Sequence, residues 1–332
     1  MTGNALNRPP VEVGEVIATG WNLYRRNFSQ YALVALKAYL WLFVPTVIVT
    51  VASSLSAPIA GLPDQYAGLG LLLFVAFMVG YVVCAARYFG WITGISRLAY
   101  QVLRGAVDER EALRFTRSRQ YSLLWENLLK VLIFLIPGLV WLITIGIIVA
   151  GSGLTPEMLA QPERIDLAIV GRIILISLPV SLIFIVFIAW LGLRTMLADQ
   201  ALAVEPESGA IASIGRSWKL VKGSVLRSFF VAFVAYLFIV PVSVFLSIFG
   251  QALGASIFAI APPEEVVINS FGDALPYIGI AVISTIFSTL AGVVTMPLWQ
   301  TMATTLYVRL VEKLTGEKLA TAGGSERAMA DS

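Results

Sequence analysis

Histidine is absent from this 332-residue sequence, and cysteine occurs once, at Cys84. Without histidine the chain cannot build a Ser-His-Asp or Cys-His arrangement, a histidine general base or an imidazole metal site. One cysteine excludes an intramolecular disulfide and a thiolate metal site, and we interpret Cys84 as a small side chain inside an apolar run. The sequence also lacks a Walker A motif, a dinucleotide-binding glycine pattern and the kinase motifs. We therefore predict a protein that is not an enzyme and has no cofactor.

Charged residues are also scarce, at 13% of the chain, whereas soluble domains carry about 25%. Hydrophobic residues make up 58% and the mean hydropathy is +0.85. A membrane hydrocarbon core of about 30 Å needs about 20 apolar residues in a helix. Because the alternation typical of a membrane barrel is absent, we predict an all-α integral membrane protein. Its six transmembrane helices are expected at Tyr31–Leu55, Leu71–Ile95, Leu128–Ala150, Leu167–Leu193, Phe229–Leu253 and Ile278–Tyr307.

One pattern occurs three times along the chain: a basic stretch, a proline-bearing apolar span, and a second apolar span closed by arginine. The three sets are Trp21, Pro45 and Arg97; Leu113, Pro137 and Arg194; and Trp218, Pro241 and Arg309. We predict a single membrane domain at 11–318 made of three parallel two-helix repeats, each preceded by a cytoplasmic helix. The repeats cover about 11–105, 106–200 and 208–318, with a flexible tail at 1–10 and a disordered tail at 319–332.

The distribution of Lys and Arg predicts the orientation in the membrane. Most of these 23 residues lie before the first span, after the last span, or between the second and third and the fourth and fifth spans. The opposite loops contain one cation, Arg164, among acidic residues. The positive-inside rule then predicts that both termini are cytoplasmic, which fits six spans.

Two stretches before the spans combine cations with apolar residues at helical spacing. In Ser208–Gly223 the apolar set is Ile211, Ile214, Trp218 and Val221, and the cations are Arg216, Lys219 and Lys222. Glu12–Asn27 repeats this pattern and ends in Arg25-Arg26. Basic amphipathic helices lie in the headgroup layer, and we predict in-plane helices at both places. Asp108–Arg119 occupies the equivalent place in the second repeat, but it is charged throughout and we expect it to be poorly amphipathic.

The in-plane cations have two interpretations. They fix the orientation and touch anionic lipid, at about 1 kcal/mol each, or they form a dedicated surface for anionic headgroups, a protein partner or a second copy of the chain. We expect no nucleic-acid partner, because the cations are spread along membrane-proximal helices without a recognition motif.

Arg87 is a candidate functional residue because it is ionisable and lies inside a predicted span. It either contacts an anion in a cavity or is satisfied within the bundle or by snorkelling to the interface. For Lys37 and Arg172, nearer the span ends, snorkelling is the better interpretation. Acidic residues are absent from the span interiors, with Glu126 and Asp273 only at edges, which argues against a proton- or sodium-coupled carrier.

The sixth span is the most polar, with two groups of hydroxyl side chains on either side of Pro297. Ser288, Thr301 and Thr304 are the candidate cavity-lining residues among them. The alternative is that small hydroxylated residues pack helices closely, as we also expect of Gly90-x-x-x-Gly94. A further acidic pair, Glu264-Glu265, is interpreted as a solvated loop or as a site of carboxylate-dependent hydrolysis.

Several segments resemble the glycerophosphodiester phosphodiesterase membrane-domain family. They are Leu202-Ala203-Val204-Glu205, the run Gly215-Arg216-Ser217-Trp218-Lys219-Leu220-Val221-Lys222-Gly223, the opening Gly14-Glu15-Val16 with Trp21 and Tyr24-Arg25-Arg26, and the closing Thr305-Leu306-Tyr307 with Arg309. The resemblance covers about residues 11 to 318, and its motifs are shared with related bacterial inner-membrane families. It implies a multi-helix membrane domain, fused in some members to a soluble domain that performs the chemistry. We expect no such catalytic domain here, because its histidines have no counterpart.

Two main hypotheses follow for the function. The first is a non-enzymatic accessory, scaffold or lipid-interacting protein of the bacterial inner membrane, whose basic in-plane helices are the contact surface. The second is a carrier or channel for a small or lipid-like anion, with Arg87 as the anion contact and the sixth span lining the path.

Overall fold

A computed structural model of the chain describes residues 12–54, 67–153, 167–260 and 271–316. Within these ranges the protein has ten helices and no strand. The helices are α1 (Val13–Arg26), α2 (Phe28–Ser54), α3 (Ala67–Leu103), α4 (Glu109–Ser118), α5 (Gln120–Gly151), α6 (Leu167–Thr195), α7 (Ala198–Val204), α8 (Ala210–Val221), α9 (Val225–Ile260) and α10 (Phe271–Thr315). The predicted tails at 1–10 and 319–332 lie outside the described residues.

Six of these helices, α2, α3, α5, α6, α9 and α10, are long and apolar enough to cross a membrane. The prediction of an all-α membrane protein with six transmembrane helices is therefore confirmed. The helices are longer than the apolar stretches, since α3 continues to Leu103 and α10 to Thr315. A helix ends where its capping residues permit, whereas hydropathy marks only the part that suits hydrocarbon.

The centre of the packing is α10, which contacts α2, α3 and α9 extensively. The pair α5 and α6 joins this group more loosely, through α3 and α9. No residue in the most apolar part of α5 or α6 is buried within the protein. The second helix pair therefore presents most of its surface to lipid.

The buried core lies at one end of the spans. The largest fully buried side chains include Tyr31, Leu123, Leu197, Met302 and Leu306, which all come from the span ends and their connections. The short helices α1, α4, α7 and α8 pack at this end, which carries the arginines that close the spans. We call these four helices and the span ends beneath them the basic-side layer.

The arginine that closes each span pair contacts the short helix that precedes the next pair. Arg97 of α3 donates to Glu111 of α4 at 3.1 Å, and Arg194 of α6 donates to the Trp218 carbonyl of α8 at 3.2 Å. Arg309 of α10 pairs with Glu15 of α1. These contacts run from the first helix pair to the second, from the second to the third, and from the third back to the first. The basic-side layer is therefore a closed ring.

The expectation that Asp108–Arg119 is poorly amphipathic is wrong. In α4 one face, comprising Ala112, Leu113 and Thr116, is buried, and Arg114 and Arg117 are exposed on the other. The apolar positions Ala112 and Leu113 do fall on one face of the helix, but the many charged residues around them led to the wrong expectation. This face fits a groove on α3, where a Cβ atom on Gly94 would lie 2.7 Å from Leu113 Cδ2. The close-packing prediction for Gly90 and Gly94 is confirmed on this surface.

Two glycines of α1 predict opposite effects on stability. A Cβ atom at Gly20 would lie 3.0 Å from the Met302 Cα atom of α10, whereas one at Gly14 meets nothing within 4 Å. We expect Gly20→Ala to cost about 1–3 kcal/mol because backbone must shift. Gly14→Ala is expected to be neutral or to stabilise by up to about 1 kcal/mol, since alanine favours the helix. Thermal unfolding in detergent measures both, and equal midpoints for the two variants would contradict the close packing of α1 on α10.

Candidate functional site

A cavity of about 820 Å³ lies between the first and second helix pairs. Its walls come from α2, α3, α5 and α6, and they are almost wholly aliphatic and aromatic. The aromatic side chains are Tyr81, Tyr88, Phe89, Phe134, Trp141 and Phe184. Trp141 and Phe184 stack with ring centroids 5.2 Å apart, which holds α5 against α6 at this level. Two polar residues, Asn127 and Lys130 of α5, also line the cavity, both near the basic-side layer.

Lys130 belongs to a buried charged cluster at that end of the cavity. Its ammonium lies 2.7 Å from Glu126 Oε1 and 3.0 Å from Asp199 Oδ1. The Asn127 amide donates to the other oxygen of Glu126 at 3.1 Å and to Asp199 at 3.3 Å. The Glu126 side chain is fully buried, and that of Lys130 is 15% exposed. Paired carboxylates make a buried ammonium tolerable here, because an isolated charge would carry a large desolvation cost.

This cluster joins α5 to α7, a short helix that sequence reasoning did not predict. Glu126 and Lys130 are four residues apart and share one face of α5. Asp199 comes from the first turn of α7, where a carboxylate is favourable at the positive end of the helix. The sequence suggested that Glu126 stood only at a span edge. The structure instead buries Glu126 beside Asp199. In the sequence, this contact is indicated only by the position of both acidic residues next to apolar stretches.

The opposite end of α7 is held by Arg119. Its guanidinium donates to four carbonyl groups, those of Leu202 at 2.9 Å, Glu205 and Ser208 at 2.8 Å each, and Pro206 at 2.5 Å. Burial, with a smaller effect of nearby Arg97, lowers the pKa of Arg119. Arginine nonetheless remains protonated in proteins, so it keeps all its donors. Arg97 adds a bond to the Val204 carbonyl at 2.9 Å. The last carbonyl groups of a helix have no N–H partner within it, and at the end of α7 the two arginines supply these donors.

The predicted surface cations fall into two groups. Arg216 is paired with Glu205 at 2.9 Å, and the Tyr307 hydroxyl donates to the same carboxylate at 2.6 Å. Trp218 is half-buried and packs edge-on against Trp190. Arg216 and Trp218 therefore use their side chains for contacts within the protein. The other four predicted contact residues are exposed, namely Arg25, Arg26, Lys219 and Lys222.

The predicted cavity residues of the sixth span are not brought together. Ser288 lines a second, smaller cavity of about 350 Å³ between α2 and α10. Thr301 and Thr304 are fully buried in α10, and the Thr301 hydroxyl bonds the Leu298 carbonyl. Thr301 is thirteen positions after Ser288, which is about 20 Å along a helix. Arg87 lines neither cavity.

Arg87 lies instead over the ring of Trp41, 5.6 Å from its centroid. Nearby on the same two helices, Lys37 lies 5.5 Å from the centroid of Trp91, and Arg117 of α4 lies 4.9 Å from the same ring. Cations within about 6 Å of an indole face are attracted by its quadrupole. The structure therefore gives Arg87 a tryptophan partner that spacing along the sequence did not predict.

Glu264 and Glu265 lie outside the described residues. Among the residues that are described, no group of three or more His, Cys, Asp or Glu side chains is arranged to hold a metal ion. No protein-family model, curated protein or solved structure matches this chain.

Proposed function

We propose that this protein is a non-enzymatic membrane domain that binds lipid, with one acyl chain in the cavity between the first and second helix pairs. The observation that carries the proposal is a large apolar cavity, about 820 Å³, walled by membrane-spanning helices. Ligand cavities in proteins have volumes of about 300–1,000 Å³ with mostly apolar walls and a few polar groups. In a membrane, the abundant molecule that matches such walls is lipid.

The length of the cavity supports an acyl chain as its occupant. Its lining on α5 runs from Leu124 to Leu142, which is about 27 Å at 1.5 Å per residue. One leaflet of a bilayer contributes about 15 Å of the hydrocarbon core. The cavity is therefore long enough for a chain that starts at the basic-side layer and extends to the middle of the membrane.

The polar end of the cavity supports a headgroup without net negative charge. Asn127 and Lys130 are its polar lining residues, and the Lys130 ammonium already has Glu126 and Asp199 as partners. A lysine with two carboxylates has little attraction left for a further anion. A neutral or zwitterionic headgroup that accepts a hydrogen bond from Asn127 matches this end better.

We also propose that the basic-side layer faces the cytoplasm of a bacterial cell and that the three helix pairs are parallel repeats. The distribution of cations supports the orientation. The recurrence of one arginine contact around the closed ring, at Arg97, Arg194 and Arg309, supports the repetition. In this orientation Arg25, Arg26, Lys219 and Lys222 contact anionic headgroups at the inner surface. The resemblance to the phosphodiesterase membrane-domain family is compatible with this role and stays a prediction.

Filling the cavity is expected to abolish lipid binding there. Gly138 of α5 lines the cavity, and a Cβ atom at this position meets nothing within 4 Å. The side chain introduced by Gly138→Phe would therefore occupy space now open to an acyl chain. We expect at least a tenfold loss of bound phosphatidylcholine, measured by native mass spectrometry after a defined lipid load.

The matched control is Gly146→Phe, two turns further along α5. Its Cβ atom also meets nothing within 4 Å, but Gly146 does not line the cavity. Both variants add one aromatic ring to the same helix, so non-specific effects on the membrane are shared. Equal retention of phosphatidylcholine by the two variants would refute the cavity as a lipid site.

A further inference from the structure

We propose a second lipid site on the outer surface of α2, α3 and α4, which binds the phosphate of an anionic membrane lipid. It consists of three cations and two indole rings, here called the cation–tryptophan site: Lys37, Trp41, Arg87, Trp91 and Arg117. The inference rests on the proposed lipid-binding function but uses different residues, since none of the five lines the cavity.

The site is built as a reciprocal pair. Lys37 and Trp41 are four residues apart on α2, and Arg87 and Trp91 are four residues apart on α3, so each couple shares one helix face. The two helices run in opposite directions, and each cation lies over the tryptophan of the other helix, at 5.5 and 5.6 Å. Arg117 adds a third cation at 4.9 Å from Trp91. Three elements therefore bring positive charge to one patch.

The charge of this patch is uncompensated within the described protein. Neither Lys37, Arg87 nor Arg117 forms an ion pair there, although six other ion pairs are present. Arg97, Arg216, Arg309 and Lys130 each have a carboxylate partner. Lys37 and Arg117 are also exposed. An anion from outside the protein is the partner that completes this patch.

The depth of the site matches a lipid headgroup. The short helix α4 packs on α3 at Gly90, where an added Cβ atom would lie 3.5 Å from Arg117 Cα. Trp91 is therefore level with α4, and tryptophan is enriched at this interface of membrane proteins. Arg87 is one turn deeper in α3, about 6 Å along the helix. Such an arrangement presents cations on two levels to a phosphodiester group.

The surface below the site suits a lipid rather than a free phosphate ion. Val44 continues the face of Lys37 and Trp41 along α2, and Val83 continues the face of Arg87 along α3. Both side chains are exposed, by 59% and 39% respectively. A lipid with its phosphate on the cations would lay an acyl chain over these valines, whereas inorganic phosphate gains nothing from them.

The test is the preference of the purified full chain for phosphatidylglycerol over phosphatidylcholine, measured by native mass spectrometry with equimolar lipids. The variant Lys37→Gln/Arg117→Gln is expected to weaken phosphatidylglycerol binding about 30-fold, or about fivefold for each cation. The control Arg104→Gln/Arg172→Gln removes two exposed cations outside the site and is expected to keep the preference. The exchange Lys37→Arg/Arg117→Lys keeps both charges and is expected to restore the preference, which separates a charge effect from misfolding.

Three results would overturn the proposal: an unchanged preference in the glutamine variant, an equal loss in the control, or failure of the charge-conserving exchange to restore it. Millimolar inorganic phosphate is added in a parallel series. If it displaces phosphatidylglycerol from the parent, the site is one for small anions and the assignment to lipid fails. Phosphatidylcholine binding that is sensitive to Gly138→Phe reports separately on the cavity. The two proposals can therefore fail independently.

Discussion

Replacing Lys130 by methionine is expected to lower the free energy of unfolding by about 3–5 kcal/mol, one of the two largest effects that this structure predicts. The substitution keeps the length and apolar stem of the side chain, but it leaves Glu126 and Asp199 without their shared ammonium, at 2.7 and 3.0 Å in the parent. Glu126 is fully buried, so water cannot replace the lost partner. Thermal unfolding in detergent, followed by size-exclusion chromatography, measures the loss.

Two further variants test whether the loss comes from unpaired charge. Lys219→Met removes an exposed lysine of α8 and is expected to change stability by less than about 0.5 kcal/mol. The triple variant Glu126→Gln/Lys130→Met/Asp199→Asn removes the whole cluster and is expected to recover most of the stability, since it leaves no buried charge. A loss in Lys130→Met no larger than that in Lys219→Met would refute the role of the cluster.

The second large effect is expected from Arg119→Ala, at about 3 kcal/mol, because hydrogen bonds from a charged donor contribute about 1.5–3 kcal/mol each and water replaces only some of them. The variant removes four bonds to the carbonyls of Leu202, Glu205, Pro206 and Ser208. Backbone hydrogen exchange should then increase in residues 198–208, which comprise α7 and the turn that follows it. Arg119→Lys is expected to recover little, since one ammonium cannot reproduce a planar fork of donors.

Arg114→Ala is the matched control for that experiment. Arg114 lies on the exposed face of α4, five residues before Arg119, and among the described residues it forms no ion pair. Its loss removes the same charge from the same surface without touching α7. If both alanine variants unfold at the same temperature and exchange alike in 198–208, Arg119 does not hold this segment.

The transmembrane helices were predictable because each is specified by a local property. A run of about 20 apolar residues is sufficient for a span, whatever the rest of the chain does. The amphipathic helices α1 and α8 were predictable for the same reason, since the spacing of apolar residues lies within one short segment. Their in-plane position stays a prediction. The amphipathic face of α4 is just as local, since Ala112, Leu113 and Thr116 lie at helical spacing, but the charge of the segment hid it. What the sequence did not indicate is that this face packs on the glycines of α3.

The candidate site depended on contacts between distant segments. Asp199 is 69 residues from Lys130 in the sequence, and nothing in either segment indicates that they meet. The cavity likewise has a lining that comes from four helices. Arg87 was identified from a local rule, the rarity of ionisable residues in spans, but its partner Trp41 was not. Single residues with unusual chemistry were therefore predictable, and their partners were not.

The closed ring has a consequence for biosynthesis. Glu15 and Arg309, whose contact joins the ends of the ring, are 294 residues apart, which at about 5–20 residues per second corresponds to about 15–60 s of translation. During that time the apolar face of α1, including Val16 and Ile17, is not yet covered by α10. The headgroup-layer position that the sequence predicts for α1 would cover this face with lipid until α10 has been made. The first helix of the ring to be made is thus the last to be enclosed.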